Sequence, residues 1–277
     1  MDAKALVSAA KALKDAQALA KKLAAARDAE SAWPELAAGA AGLAALLERA
    51  RLAEVEAGLR ADLAALQASL EPARARYRTA FGRDLAAALA SQGLELGGQY
   101  PTFRAGLFTL QVDAERDRAT VAFGPDEVAR ERPVPARLAA ALAAFRAGLE
   151  RPLDADALLA ALLTSWRRAL RNAARPSSDA RAPILDVLAE LNLVTQGGAF
   201  RADPSARTFR PVTRHAFAYD LYRLRAARRL GVEGRRLVLH TAVYDDTRAR
   251  GDYLWVPDDE RGNGTRVARL SFQEESA

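Results

Sequence analysis

The chain contains no cysteine, which excludes disulfides, thiol nucleophiles and cysteine-ligated zinc sites. All five lysines lie within the first 22 residues, so every later basic residue is an arginine. Beyond Lys22 the sequence therefore has no phosphate-loop lysine and no Schiff-base lysine. Arginine does not replace lysine in those roles, because it does not release its proton near neutral pH. The two histidines, His215 and His240, lack metal-ligand spacing, and no motif indicates a cofactor or a resident metal.

Long hydrophobic runs are also missing. The longest uncharged run, LAAGAAGLAALL at 36–47, is shorter than the roughly 20 residues that cross a bilayer. The N-terminus distributes its charges evenly and lacks the compact apolar core of a secretory signal. We expect a cytoplasmic protein that does not enter a membrane.

Positive charge is concentrated in one segment. Residues 1–150 carry 20 basic and 19 acidic side chains, residues 151–236 carry 16 and 8, and residues 237–277 carry 5 and 8. The middle segment therefore has a net charge of +8, against +1 before it and −3 after it. A concentrated field attracts polyanions, so this segment predicts an acidic partner.

Residues 1–92 have the pattern of a helical hairpin or coiled coil. One helix is expected over 2–29, and Ser31 and Pro34 indicate the start of a second helical region that continues to about residue 91. Pro72 falls inside that region and predicts a kink or a junction between two helices. Apolar residues alternate in steps of four and three, as in a coiled-coil seam, at Leu59, Leu63, Leu66, Leu70, Ala73, Tyr77 and Ala80. Such a seam packs either within the chain or in a homodimer.

Residues 93–150 predict a β-hairpin followed by a helix. TFRAGLFTLQVD and ATVAFG are rich in β-branched and aromatic residues and are separated by the polar stretch AERDR. A helix is expected over about 134–149. The candidate buried face of the hairpin consists of Phe103, Leu107 or Phe108, Leu110 and Val112.

Residues 151–277 begin with a strongly amphipathic helix capped by Asp154. At about 100° per residue its apolar positions form one stripe, with Arg168, Arg171 and Arg175 on the opposite side. A shorter helix follows in ILDVLAELNLV. The apolar stripe consists of Leu159, Leu162, Leu163, Trp166 and Leu170.

The stretch RHAFAYDLYRLRAARRLGVEGRR at 214–236 predicts a third helix with a basic side. Phe217, Leu221 and Leu224 form its expected buried face. Beside them lie Arg214, Arg225 and Arg229, bordered by Tyr222 and His215. This order of core stripe, arginine stripe and aromatic edge is typical of a recognition helix, although a solvated face in an arginine-biased chain gives the same composition.

Three strands are expected after this helix. RRLVLHTAVYDD and GDYLWVP predict a hairpin joined by DTRAR, and TRVARLSF follows the turn RGNG. Three helices followed by a hairpin with Arg248 and Arg250 at its tip resemble a winged helix in chain order. The resemblance is architectural and implies that a helix enters the major groove while the hairpin contacts the DNA backbone or minor groove.

The sequence therefore predicts an α+β, mainly helical protein with a helical region (1–92), a hairpin-and-helix region (93–150) and a basic winged-helix-like region (151–277). We expect a non-enzymatic protein that binds nucleic acid, with double-stranded DNA favoured, and whose coiled coil dimerises or docks to a larger complex. DNA repair or phage defence is a hypothesis about context to which no residue points. The expected nucleic-acid contacts are Arg168, Arg171, Arg175, Arg214, Tyr222, Arg225, Arg229, Arg248 and Arg250.

Two alternatives remain open. In the first, the protein is a scaffold subunit whose basic face binds an acidic protein. In the second, it is a metal-dependent nuclease, since carboxylates at one end of a sheet can hold Mg²⁺ for phosphodiester hydrolysis. The same acidic residues also suit turns and strand ends, where aspartate is favoured. They follow His240 and comprise Asp245, Asp246, Asp258, Asp259 and Glu260.

Overall fold

A computed structural model describes residues 3–26, 33–50, 57–173, 179–247 and 251–274. It confirms the α+β class, with about 53% helix, 22% strand and two antiparallel sheets. The chain divides into two compact units, one made of residues 1–105, 110–121 and 129–141 and the other of residues 106–109, 122–128 and 142–277. The division into three regions stays a prediction. Within the described residues, no helix combines the length and the apolarity that a membrane span requires.

The first unit begins with three helices, of which α1 packs on α2 and α2 on α3. Gly39 allows the close approach of α1 and α2, because a Cβ at this position would lie 2.3 Å from Leu23 Cδ2. Leu36 and Leu43 of the same α2 face are buried. The helices are α1 Ala3–Ala26, α2 Trp33–Ala50 and α3 Ala57–Ala90.

The predicted seam lies in α3, and part of it is buried within the chain. Leu66, Ala73, Tyr77 and Ala80 are buried, whereas Leu63 and Leu70 are half-buried and the side chain of Leu59 lies outside the described residues. Tyr77 packs against Trp33 and donates a hydrogen bond to the Pro133 carbonyl at 3.2 Å. Of the two outcomes predicted at Pro72, a kink or a junction between two helices, the junction does not occur, because α3 continues through this residue.

The middle of the chain forms an antiparallel meander rather than a single hairpin, with strand order β1-β2-β3-β4-β5. The predicted hairpin corresponds to its β3–β4 pair, but the first predicted strand, TFRAGLFTLQVD, is divided into the two strands β2 and β3. Alternation of side chains along a strand buries Phe103, Phe108, Leu110 and Val112, as expected, and leaves Leu107 half-buried. The strands are β1 Leu96–Gln99, β2 Thr102–Ala105, β3 Phe108–Asp113, β4 Arg118–Phe123 and β5 Asp126–Glu131, and helix α4 spans Pro135–Leu149.

The second unit contains the two clearest predicted helices. Asp154 caps the first of them by accepting a hydrogen bond from Ala157 N at 3.0 Å. Its predicted stripe is buried at Leu159, Leu162, Leu163 and Trp166, while Leu170 is half-buried. The helices of this part are α5 Ala155–Asn172, α6 Ile184–Val194, the short α7 Gly198–Ala202 and α8 Arg214–Ala226.

The second sheet is built around its longest strand, β10, with the order β6-β10-β8-β7 and with β9 also paired to β10. Leu270 of β10 lies opposite Leu239 of β8 and Ala182 of β6. Its strands are β6 Ala182–Pro183, β7 Gly231–Val232, β8 Arg235–Thr241, β9 Leu254–Pro257 and β10 Gly264–Glu274. The 3-10 turn Tyr244–Thr247 lies between β8 and β9.

The predicted hairpin of β8 with β9 was wrong. Both strands pair with β10 instead, and the hairpin that forms is β9–β10, in which Leu254 lies opposite Val267. β10 is long enough to pair with β8 along one part and with β9 along another, which adjacent order in the sequence does not reveal. The expected hairpin tip, Arg248 and Arg250, lies outside the described residues.

Candidate nucleic-acid interface

Helix α8 forms as the sequence predicted but ends earlier. Thr213 caps it, with its hydroxyl accepting from Ala216 N at 3.2 Å, and Phe217, Leu221 and Leu224 are fully buried. The helix ends at Ala226, and Arg228 adopts a positive φ of 55°. Arg229 therefore lies beyond the helix, and its predicted alignment with the arginines of α8 was wrong.

Arg214 faces the protein rather than solvent. Its guanidinium donates to the Tyr253 carbonyl at 2.9 Å, and its Nε lies 3.6 Å from Asp126 Oδ2. His215 Nε2 lies 3.1 Å from the same carboxylate oxygen, and the imidazole packs edge-on against Phe145. The start of α8 is thus fixed to Asp126, and these two residues hold structure together instead of bordering an open face.

Asp220, on the same helix, is a buried carboxylate. One of its oxygens accepts from Arg151, while the other accepts no hydrogen bond from the described residues and lies 3.9 Å from Arg223 Nη1. Burial raises the pKa of Asp220, although Arg151 and Arg223 act in the opposite direction. Arg223 donates to the Arg151 carbonyl at 2.7 Å, which completes the cluster.

The remaining two arginines of the predicted stripe also have carboxylate partners. Arg225 Nη2 donates to Asp258 Oδ1 at 2.8 Å, and Arg229 donates to both oxygens of Asp156 at 2.6 and 2.8 Å. The structure therefore brings together arginine and aspartate where the sequence suggested an uncompensated basic stripe. Each such ion pair is nearly neutral, so it attracts a polyanion only weakly.

Two half-buried tyrosines lie next to each other on α8. Tyr219 and Tyr222 pack with their ring centroids 5.9 Å apart, and the Arg223 guanidinium lies 5.9 Å from the Tyr219 centroid. Burial and the nearby Glu150 raise the pKa of Tyr219, and burial and Glu260 raise that of Tyr222. Both phenols are therefore protonated at neutral pH, and the carboxylates of Glu150 and Glu260 lie near them.

The predicted nucleic-acid contacts of the first helix in this region differ from those of α8. Arg168 and Arg171 are exposed on α5, as expected, and have no carboxylate partner among the described residues. Their neighbour Arg167 pairs with Glu233 at 3.2 Å. Arg175 lies outside the described residues.

A further group of exposed arginines, which the sequence patterns did not single out, has no carboxylate partner in the described part of the chain. Some lie in the α6–α8 connection, where no amphipathic periodicity draws attention to them. The available signal was the amide pair formed by Asn192 in α6 and Gln196 just beyond its end. The group consists of Arg201, Arg207, Arg210, Arg228, Arg236 and Arg266.

The carboxylates that suggested a nuclease are dispersed among other partners. Asp246 forms two hydrogen bonds with Arg269, Asp258 binds Arg225, and hydrogen bonding from Asn263 lowers the pKa of Asp259. Over the residues that the structure describes, no group of three or more His, Asp or Glu side chains has the geometry to hold a metal.

The side chain of His240, the histidine that precedes these carboxylates, is held by a contact within the sheet. Its Nε2 lies 2.9 Å from Ser271 Oγ, across the β8–β10 pair. Burial, followed by the charge of Arg181, lowers the pKa of His240, so the imidazole is neutral at neutral pH.

Comparison with protein-family models, with curated proteins and with solved structures finds no match for this chain.

Proposed function

We propose that the protein binds nucleic acid, with double-stranded DNA favoured, and that it does so without catalysing a reaction. The observation that carries the proposal is the set of exposed arginines in residues 151–277 that no described carboxylate neutralises. Arginine binds phosphate bidentately and remains charged at every physiological pH. The arginines in question are Arg168, Arg171, Arg201, Arg207, Arg210, Arg228, Arg236 and Arg266.

The strand and helix order supports a winged-helix-like module. The elements follow one another in the order α5-β6-α6-α7-α8-β7-β8-β9-β10, and the sheet places β10 between β6 and β8. In this proposal the β9–β10 hairpin is the wing. Helices and hairpins of such modules contact DNA grooves and backbone.

The internal ion pairs of α8 define the mode of binding that we propose. Arg214 and Arg225 contact Asp126 and Asp258, so they are not free to bond base edges. Contacts to phosphates position a protein on a duplex but carry no sequence information. We therefore expect sequence-independent binding.

The N-terminal helices have a docking role in this proposal. Leu66, Ala73 and Tyr77 of the predicted seam are already buried within one chain. Dimerisation or docking to a larger complex therefore uses another face of α1–α3, and light scattering of the purified protein measures whether dimers form.

Fluorescence anisotropy with labelled duplex DNA, single-stranded DNA and RNA tests the proposal. We expect binding that unlabelled duplexes of unrelated sequence displace. Absence of binding to all three at about 50 mM salt would contradict it, because non-specific electrostatic binding is strongest at low salt. That result would favour the scaffold alternative, in which the basic face requires its own acidic protein partner.

A further inference from the structure

The connection between α6 and α8, residues 195–213, is a basic loop with a defined structure. It contains α7 and carries three arginines, Arg201, Arg207 and Arg210, against one acid, Asp203. All four side chains are exposed, and none forms an ion pair with a described residue. The loop therefore has an uncompensated charge of +2 at a single place in the fold.

Two side-chain amides, one from Asn192 in the last turn of α6 and one from Gln196 at the start of the loop, clamp the second half of this loop. Gln196 accepts from Arg210 N at 2.9 Å and donates to the Arg210 carbonyl at 3.1 Å. Asn192 accepts from Val212 N at 2.6 Å and donates to the Val212 carbonyl at 3.1 Å. Each amide thus pairs with both backbone groups of one residue, as a neighbouring β-strand does.

Spacing explains why both amides reach the loop. Asn192 lies in the last turn of α6 and Gln196 two residues beyond its end, and Gln196 donates to the Asn192 carbonyl at 2.5 Å, which holds the two amides close together. Arg210 and Val212 are two residues apart, and each presents its backbone N–H and carbonyl to one of the amides. Pro211 between them has no N–H to satisfy.

The first half of the loop is fixed by its own contacts. The rings of Phe200 and Phe209 pack with centroids 5.6 Å apart. The Thr208 hydroxyl bonds to the carbonyls of Asp203 and Ser205 at 2.6 and 3.0 Å. Arg210 Nη1 donates to the Arg207 carbonyl at 3.3 Å, which holds the two arginines next to each other.

We propose that this clamped loop, residues 195–213, is the element that contacts the phosphate backbone of nucleic acid, through Arg201, Arg207 and Arg210. The inference rests on the proposed function and names the binding element within it. A surface whose backbone is already ordered loses less entropy when it binds, so the clamp increases affinity without adding contacts. Phosphate fits this loop better than a protein surface does, because its exposed side chains are charged or small rather than aromatic.

The decisive variant changes Arg201, Arg207 and Arg210 together to Ala. Each lost phosphate contact makes the log–log salt slope on duplex DNA less negative by about 0.9, so the slope should change by about 2 to 3. At about 0.1 M salt the affinity should fall on the order of 100-fold. The matched control changes Arg167, Arg181 and Arg235 to Ala, which removes the same charge from arginines paired with Glu233, Asp179 and Glu274.

Gln196→Ala tests the clamp without changing any charge. We expect affinity to fall about threefold to tenfold with the salt slope unchanged, because ordering the loop on binding costs about 1 kcal/mol per residue released. Thermal unfolding verifies that the variant is folded at the temperature of the assay. Unchanged affinity in a folded Gln196→Ala variant would overturn the role of the clamp.

The outcomes separate the two proposals. If the wild-type protein binds none of the nucleic acids, the proposed function fails. If it binds and the loop variant retains its affinity, or loses no more than the control variant does, the function stands and the loop is not the contact. The inference is supported if the loop variant loses more affinity for duplex DNA than the control variant does, and if the wild-type protein binds duplexes of unrelated sequence with equal affinity.

Discussion

Arg225 and Asp258 form an ion pair at 2.8 Å between helix α8 and the turn that joins β9 to β10. Both side chains are about one-third exposed, so the pair lies at the surface. The same aspartate accepts from the Thr265 hydroxyl at 2.7 Å, which fixes its position. An arginine that the sequence assigns to nucleic acid is therefore held by a carboxylate of its own chain.

Asp258→Asn should strengthen binding to duplex DNA. The change frees Arg225 from its counterion, and one added phosphate contact makes the salt slope about 1 unit more negative. Stability should fall by less than about 1 kcal/mol, because exposed ion pairs contribute little. Anisotropy measures the affinity. Asp186→Asn is the control, since Asp186 is exposed and pairs with no described arginine, and equal gains in both variants would contradict the explanation.

Changing Arg225 and Arg229 to Ala should weaken duplex binding by less than about threefold at 0.1 M salt, because their charge is already compensated by Asp258 and Asp156. Changing Arg168 and Arg171 to Ala should weaken it more, since these arginines have no carboxylate partner in the described residues. Parallel salt titrations of the two double variants provide the comparison. A larger loss in the Arg225 and Arg229 variant would mean that the ion pairs open on binding.

The buried Asp220 predicts an unusual pH dependence. Because burial raises its pKa, the native state binds this proton more tightly than the unfolded state does. The resulting stability is fully present below the unfolded pKa of about 3.9 and is lost as pH rises through the folded pKa. Asp220→Asn stays neutral at every pH.

The free energy of unfolding of Asp220→Asn, relative to wild type, should therefore increase between about pH 3.5 and pH 7. Urea unfolding of both proteins across this range measures the difference. A relative stability that decreases as pH rises would show that the charge of Arg151 outweighs the effect of burial.

Gly124 lies against the Trp255 indole, and its substitution should destabilise the second unit. An alanine Cβ would lie 2.2 Å from Trp255 Cδ2, and the φ of 58° disfavours any residue with a side chain. Strain and overpacking together predict that Gly124→Ala costs about 2 to 4 kcal/mol.

Gly148 provides the control for this change. It lies in α4 with open space around its Cβ position, so Gly148→Ala should stabilise the protein by up to about 1 kcal/mol. Urea unfolding of both variants measures the two effects. A destabilisation of similar size in both would contradict the account of the Trp255 contact.

Local features of this fold could be predicted from the sequence. The buried stripes of α5 and α8 follow from helical periodicity, and the Asp154 cap follows from the preference of aspartate for that position. The buried face of β3 follows from alternation. These features depend only on neighbours within a few residues.

Long-range partners could not be predicted in the same way. Arg229 pairs with Asp156 across 73 residues, and His215 with Asp126 across 89 residues, so no local pattern contains either pair. A helical wheel places an arginine on a face but does not say which carboxylate another element brings to it. The same limit explains the pairing of β9, because both β8 and β10 are compatible strands and only the folded sheet selects β10.

The salt dependence of wild-type binding to a labelled duplex of about 20 base pairs tests the central claim most directly. With several free arginines on phosphates, log affinity should fall linearly with log salt concentration, with a slope between about −3 and −6. A slope near zero, or no binding at about 50 mM salt, would contradict the claim that these arginines form a nucleic-acid interface.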